Sequence, residues 1–260
     1  MKREGLRIGR VGLLVLIVLV GCGPTKANDL PAETWGVAEF AQAGLHIDKP
    51  WRPEDFTAAA AVLEAQCAGH RDRLPHFHGA RSGEVFAKLV TPLPDDTAAS
   101  IAERFHAHML RGEALNAISK LYLENLFAKP SRDFIEVIGA YLGEAAALAR
   151  NAKPFIATFG PDDPKHQARM DGLAQMKRGF GQMLLGGLLV AEDTRVSEAD
   201  RLAMLGYVTT TLPTLLPDIE PVVQQSIRDN LANQVDKLPS GAPRDAFVAA
   251  LSAAPVPATP

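Results

Sequence analysis

From residue 53 to residue 253, apolar side chains return at steps of three and four, and no stretch alternates apolar and polar residues as a half-buried strand would. That period belongs to one face of an α-helix, so the chain is expected to be all-α. Pro53-Glu54-Asp55 puts a proline and two acids in a first turn, and Phe56, Ala59, Ala60, Leu63 and Cys67 follow as a stripe, predicting a helix over about 53–68. Ser82 is placed to cap a short helix carrying Val85, Phe86 and Leu89, stopped by Pro92 and Pro94. Asp95 or Asp96 opens the next segment, with Ile101, Phe105 and Met109 and then, out of phase, Leu115, Ile118, Tyr122 and Leu126. Gly112 near that shift predicts two helices or one bent helix.

The second half continues in the same way. Ser131 is placed to cap a helix over 132–150, and Pro161-Asp162-Asp163-Pro164 opens one that runs to about Ala191. Its run MLLGGLLV at 183–190 predicts a helix buried nearly all round, and glycines 179, 181, 186 and 187 predict a neighbour in close approach. Ser197-Glu198-Ala199-Asp200 has the form of a capping box with Asp in place of Glu, leading into a helix ended by Pro213. Asp218-Ile219-Glu220-Pro221 begins another, and a last short helix is expected over about 243–253. The segment PAETWGVAEFA at 31–41 predicts a short helix that turns Trp35 and Phe40 inward, followed by an extended, proline-bounded stretch to Trp51. The expected architecture is a single multi-helix bundle of about seven to nine helices over 31–254, with an extended N-terminal segment and a disordered tail at 255–260. No repeated period and no composition break calls for a second domain.

Residues 1–21 carry a different signal. Met1–Arg10 is basic, and Val11–Val20 is uncharged. At ~1.5 Å per residue a helix of that length covers roughly half of the ~30 Å hydrocarbon core, too short for a permanent span. Leu19-Val20-Gly21-Cys22 follows at once. This order resembles the lipobox signal of bacterial lipoproteins. The resemblance implies a signal peptide at 1–21, cleavage before Cys22, lipidation of the Cys22 thiol with palmitate-type chains, and a tether over 22–30. It further implies a mature protein held to a membrane of the cell envelope by two or three chains, where one alone would be marginal. Gly23, in place of an aspartate, points to the periplasmic face of the outer membrane. The removed segment holds four bases and one acid, so the formal charge goes from -3 for the full chain to -6 for the mature one. An acidic domain with scattered bases has no electrostatic footprint for nucleic acid. The expected partners are the membrane, through the anchor, and an envelope protein or a small ligand.

With Cys22 lipidated, Cys67 is the only thiol left, and no intramolecular disulfide can form. Cys67-x2-His70-x5-His76-x-His78 is the strongest chemical candidate, because thiolate and imidazole are good ligands for zinc or copper. His76 and His78, if extended about Phe77, would point to one side. Against this, the spacing follows no common metal motif, and Cys67 lies on the apolar stripe of its helix. A buried thiol with solvated loop histidines accounts for the same residues. His106 and His108 sit on a helix about 200° apart, so they cannot grip one ion together; His108 is expected on the core side and His106 in solvent. Trp35, Trp51 and Phe40 could line a cleft, though pinning the N-terminal segment to the bundle explains them as well. No catalytic residue is nominated: nucleophile elbow, zinc-protease helix, phosphate loop and haem-attachment motif are all absent. Two readings remain. One is a non-catalytic envelope lipoprotein whose bundle binds a protein partner or small ligand, with assembly and toxin-neutralising roles both open. The other is a metal-dependent hydrolase or metal carrier that uses Cys67, His70, His76 and His78.

Overall fold

The computed structural model describes residues 35–67, 73–93, 100–123 and 131–253, which form helices and connecting turns with no strand among them. Among the described residues nine α-helices follow one another: α1 (Val37–Gln42), α2 (Pro53–Cys67), α3 (Gly83–Val90), α4 (Ile101–Leu123), α5 (Arg132–Ala157), α6 (His166–Glu192), α7 (Glu198–Leu215), α8 (Pro221–Gln234) and α9 (Ala242–Ala253). The all-α bundle expected from the apolar period is the observed architecture. The signal segment with Cys22, the tether, His70, Asp95, Asp96, Leu126 and the tail at 255–260 lie outside the described residues.

The helices form a row, α2–α4–α5–α7–α9, with α6 laid across α5 and α7, and α8 against α6. α5 stands at the centre and also meets α3. Glycines set how closely this row packs. A Cβ on Gly139 of α5 would lie 2.5 Å from the Tyr207 ring of α7, so the ring rests directly on the α5 backbone. Gly181 and Gly187 of α6 do the same for Val223 and Val208, each 2.7 Å from the Cβ that glycine lacks. Gly179, by contrast, faces open space. The close approach expected of the α6 glycines is therefore made by two of them. The run at 183–190 is buried on one face only: Leu184 and Leu188 are in the core, while Leu189 is exposed, as is Met170 further up the same helix.

Several boundaries differ from expectation for identifiable reasons. α4 is one continuous helix through Gly112, because its buried stripe runs His108, Arg111, Leu115, Ile118, Tyr122. Two polar residues fill the places where apolar ones would have kept the phase. Neither Ser82 nor Ser131 caps its helix: the Ser82 hydroxyl accepts from the His76 backbone N–H at 2.9 Å, and the Ser131 hydroxyl donates to Asp200 of α7. Ser197 does cap α7, accepting the Asp200 N–H at 3.2 Å. The Asp200 carboxylate accepts from the Ser197 hydroxyl instead of reaching the backbone, since it is one methylene shorter than the glutamate of a full box. α5 continues past residue 150 through Pro154, and α7 passes through Pro213 to Leu215. Each proline forfeits one backbone bond near a helix end, where few bonds remain to lose.

The N-terminal segment is pinned as expected. Trp35 meets Phe40 edge-on at 4.9 Å, and Trp51 meets Phe56 of α2 at 5.1 Å. The Trp51 indole N–H donates to the His46 carbonyl at 2.8 Å. Gly36 lies where a Cβ would come within 2.9 Å of the Arg81 carbonyl, bringing this segment against the turn before α3.

Gly187→Ala is expected to lower stability by about 1–3 kcal/mol despite alanine's better helix propensity, because Val208 must move. Gly179→Ala is expected to raise it by up to about 1 kcal/mol. Urea unfolding midpoints of the two variants check the opposite signs.

Candidate functional site

One face of α5 carries most of the polar chemistry of the core. Asp133, Glu136, Ala140, Gly143, Glu144 and Ala147 recur at helical spacing. The three carboxylates are almost fully withdrawn from water, at 0%, 8% and 3% exposure for Asp133, Glu136 and Glu144. Isolated buried charges on this scale would be prohibitive, so each must be met by partners. Each is.

Glu144 receives both His108 and Arg111 from α4. His108 Nδ1 lies 2.5 Å from Oε1, and the Arg111 guanidinium donates to Oε2. Arg111 is itself buried; its Nη2 reaches the carbonyls of Thr91 at 2.7 Å and Val90 at 3.3 Å, while its Nε has no hydrogen-bond partner. The guanidinium also stands over the Phe56 ring at 5.0 Å. One side chain thus joins α2, the end of α3, α4 and α5. Burial pulls the Arg111 pKa below arginine's ordinary value, while the Glu144 charge beside it pushes it back up.

Glu136, two turns earlier, ion-pairs with Arg132 and accepts the Tyr207 hydroxyl from α7. Burial, reinforced by that hydrogen bond, raises the Tyr207 pKa far above the usual phenol range, so the hydroxyl stays a donor. Asp133 accepts from His76 Nδ1 at 2.7 Å and from the Phe77 backbone N–H at 2.7 Å. It anchors the turn between α2 and α3, where the Tyr122 hydroxyl also donates to the Pro75 carbonyl at 2.6 Å.

Between these ties a cleft of about 400 Å³ opens over α5. Gly139, Ala140, Gly143 and Ala147 form its floor, flanked by Glu136 and Glu144. Val90 at the end of α3 and Pro92 and Leu93 after it, with His108 and Arg111 of α4, make one wall. Tyr207, Thr210 and Thr211 of α7 make the other, and the exposed Arg150 stands at the far end. The threonine hydroxyls turn back to their own helix: Thr210 donates to the Gly206 carbonyl at 2.9 Å, and Thr211 to the Tyr207 carbonyl at 2.9 Å. The arrangement offers room, a mainly carbon surface, and polar groups mostly engaged with one another, Arg111 Nε excepted. A carboxylate–imidazole contact could steer a proton, but no nucleophilic side chain is shown within reach of it.

The residues nominated from sequence are distributed differently. Cys67 is buried, and its thiol donates to the Arg73 carbonyl at 3.1 Å. His76 is buried with Nδ1 on Asp133, whereas His78 is exposed, so the two do not turn to one side. His70 is not among the described residues. Among those that are, no three His, Cys, Asp or Glu side chains gather as a metal cage would require. His108 faces the core and His106 solvent, as the helical arc implies. The residues that build the cleft, Arg111, Glu136, Glu144 and Tyr207, were not singled out. The signal available was Glu144 lodged in the otherwise apolar run from Tyr141 to Ala149, in phase with Asp133 and Glu136.

Compared with known protein families, curated protein sequences and solved structures, the chain matches none.

Asp133→Ala strands two buried donors, His76 Nδ1 and the Phe77 N–H. It is expected to cost about 1–3 kcal/mol for each. His78→Ala, on an exposed residue, is expected to stay within about 0.5 kcal/mol of the parent. Urea denaturation of both variants distinguishes the turn-anchoring histidine from its solvated neighbour.

Proposed function

We propose that this chain is a lipid-anchored envelope protein whose helical domain holds a small ligand in the cleft over α5. The address rests on the lipobox at Leu19–Cys22, and the periplasmic face of the outer membrane is the location it favours. The ligand reading rests on one observation above the rest: a cleft of about 400 Å³, within the ordinary range for small-molecule sites, whose surface is mainly carbon but whose lining is about half polar or charged residues. Binding is favoured over turnover because the cleft's carboxylates, imidazole and phenol already serve one another, and a serviceable nucleophile is missing from the described lining. A partner protein would instead want a broad exposed apolar face. Among the described residues the exposed large apolar ones, Leu123, Met170, Leu189 and Val222, are spread over three helices.

Two measurements test the proposal in its two parts. Intact mass of the protein from its native host is expected to give a chain that begins at Cys22 and carries acyl groups, lost in Cys22→Ser. An unprocessed Met1 start would remove the address. A ligand-observed NMR screen of small fragments against the full chain is expected to return binders whose signals weaken at least tenfold in Gly143→Leu, a variant that fills the floor of the cleft. Binders indifferent to that substitution would remove the site.

A second reading keeps some support from His76. Its Nε2 is buried without a hydrogen-bond partner, while Nδ1 is fixed by Asp133, the carboxylate–histidine arrangement that often backs a metal ligand. Elemental analysis is the test for zinc or copper held by Cys67, His70, His76 and His78. Near-stoichiometric metal, lost on His76→Ala, would favour it; metal-free protein would retire it.

A further inference from the structure

The α5–α6 hairpin differs from the bundle that carries it. Across the end of α5, the connection and the start of α6, residues 153–175 include none that is buried, whereas Ala152 and Met176 on either side are. Five large apolar side chains lie in this stretch, yet Phe155, Ile156, Phe159 and Leu173 are only half-buried and Met170 is exposed. A segment that buries so little apolar surface opens at a free energy well below that of the whole fold.

The stretch is tied to itself. Phe155 meets Phe159 edge-on at 5.2 Å, and the Arg169 guanidinium stands over the Phe159 ring at 3.3 Å. Arg169 also pairs with Asp163 at 2.9 Å, and Asp163 accepts the Lys165 backbone N–H at 2.7 Å. These contacts join the end of α5, the turn and the start of α6 into one piece. Toward the bundle, Phe155 stacks on Phe105 of α4, with ring centroids 4.5 Å apart and planes 11° from parallel. A half-buried stacked pair is a modest tie beside a buried helix face.

Both helices are weakened near the base of this piece. Pro154 has no N–H to give the Arg150 carbonyl, so α5 forfeits a backbone bond there. Gly172, inside α6, lets the backbone dihedrals change at little steric cost and weakens the helix relative to alanine. The two positions lie within about two turns of the connection, one on each arm of the hairpin. Hinges of moving segments are built from a few such residues.

The hairpin also borders the cleft. Arg150 is the last cleft residue on α5, and His108 is the first on α4. Phe155 and Phe105 stand about one turn further out on the same two helices.

From this we propose that residues 153–175 form a hinged arm that swings as one unit on Pro154 and Gly172, with the Phe105–Phe155 stack as the latch that closes the Arg150 end of the cleft. The movement is independent of what the cleft holds, and its test uses no ligand.

That test is hydrogen exchange of the full chain, followed by mass spectrometry on overlapping peptides. The helical amides between 155 and 171 are expected to exchange at least a hundredfold faster than those of 134–149, at one shared rate on both arms of the hairpin. Pro154→Ala and Gly172→Ala together, which mend the two helices, are expected to slow that rate at least tenfold. Phe105→Ala, which removes the latch from outside the arm, is expected to speed it at least threefold and to leave 134–149 unchanged. Gly206→Ala, at a glycine of α7 whose added Cβ would meet nothing within 4 Å, is expected to leave the arm's rate alone. Circular dichroism melts check that each variant is folded; should Phe105→Ala fail to fold, the hinge pair carries the test. Arm amides exchanging within tenfold of 134–149, rates graded residue by residue from the turn as in simple fraying, or a folded hinge pair no slower than the parent would overturn the proposal. An unchanged rate in folded Phe105→Ala would remove the latch.

Discussion

The buried ion pair between Arg111 and Glu144 is the contact on which the centre of this molecule depends. Two charges removed from water need each other and every remaining donor satisfied, or the desolvation cost would exceed the attraction. Here the condition is met at every group but one: Glu144 accepts from Arg111 and His108, and Arg111 Nη2 reaches the carbonyls that end α3, while its Nε is buried without a hydrogen-bond partner. The pair therefore fixes the spacing of α3, α4 and α5 by geometry, where apolar contacts alone would let the helices settle closer together.

That spacing has a consequence for shape. Glu136 with Tyr207 and Arg132 holds α7 to α5 in a similar way, and between the two ties α5 lines the cleft with Gly139, Ala140 and Gly143. Helices held apart at both sides of a floor of small residues leave a groove. In a bundle held solely by leucine and phenylalanine, the same small residues would have drawn the neighbouring helices down onto the floor. The polar ties flank the cleft, and close packing returns at Gly139 beneath Tyr207 and at Gly181 and Gly187.

Much of the fold was legible in the order of residues, and the exceptions have a common cause. Periodicity located α2, α3 and α5–α9 because their buried positions are mostly apolar, and Pro53 and Pro221 marked two starts correctly. The phase shift near Gly112 predicts two helices or one bent helix because His108 and Arg111 occupy core positions of α4, and a hydrophobic pattern treats both as surface. Ser82 and Ser131 were read as caps because capping is the local use of a serine, whereas their hydroxyls serve contacts 6 and 69 residues away. The site was hidden for the same reason. A buried glutamate on an amphipathic helix looks like a solvated one until its partner on another helix is known, and Glu144 meets a partner 33 residues earlier in the chain. The histidine cluster drew attention by composition alone, and the turn separates His76 from His78 by burying one and exposing the other.

A double-mutant cycle on Arg111 and Glu144 tests most directly whether ionic ties set the core. The variants are Arg111→Met, Glu144→Leu and the two together, each followed by urea unfolding. If the pair is the constraint described, each single change strands a buried charge and costs about 3–5 kcal/mol, while the double change costs far less than the sum. Single changes that are mild and add within about 0.5 kcal/mol would mean that apolar packing alone holds these helices where they are.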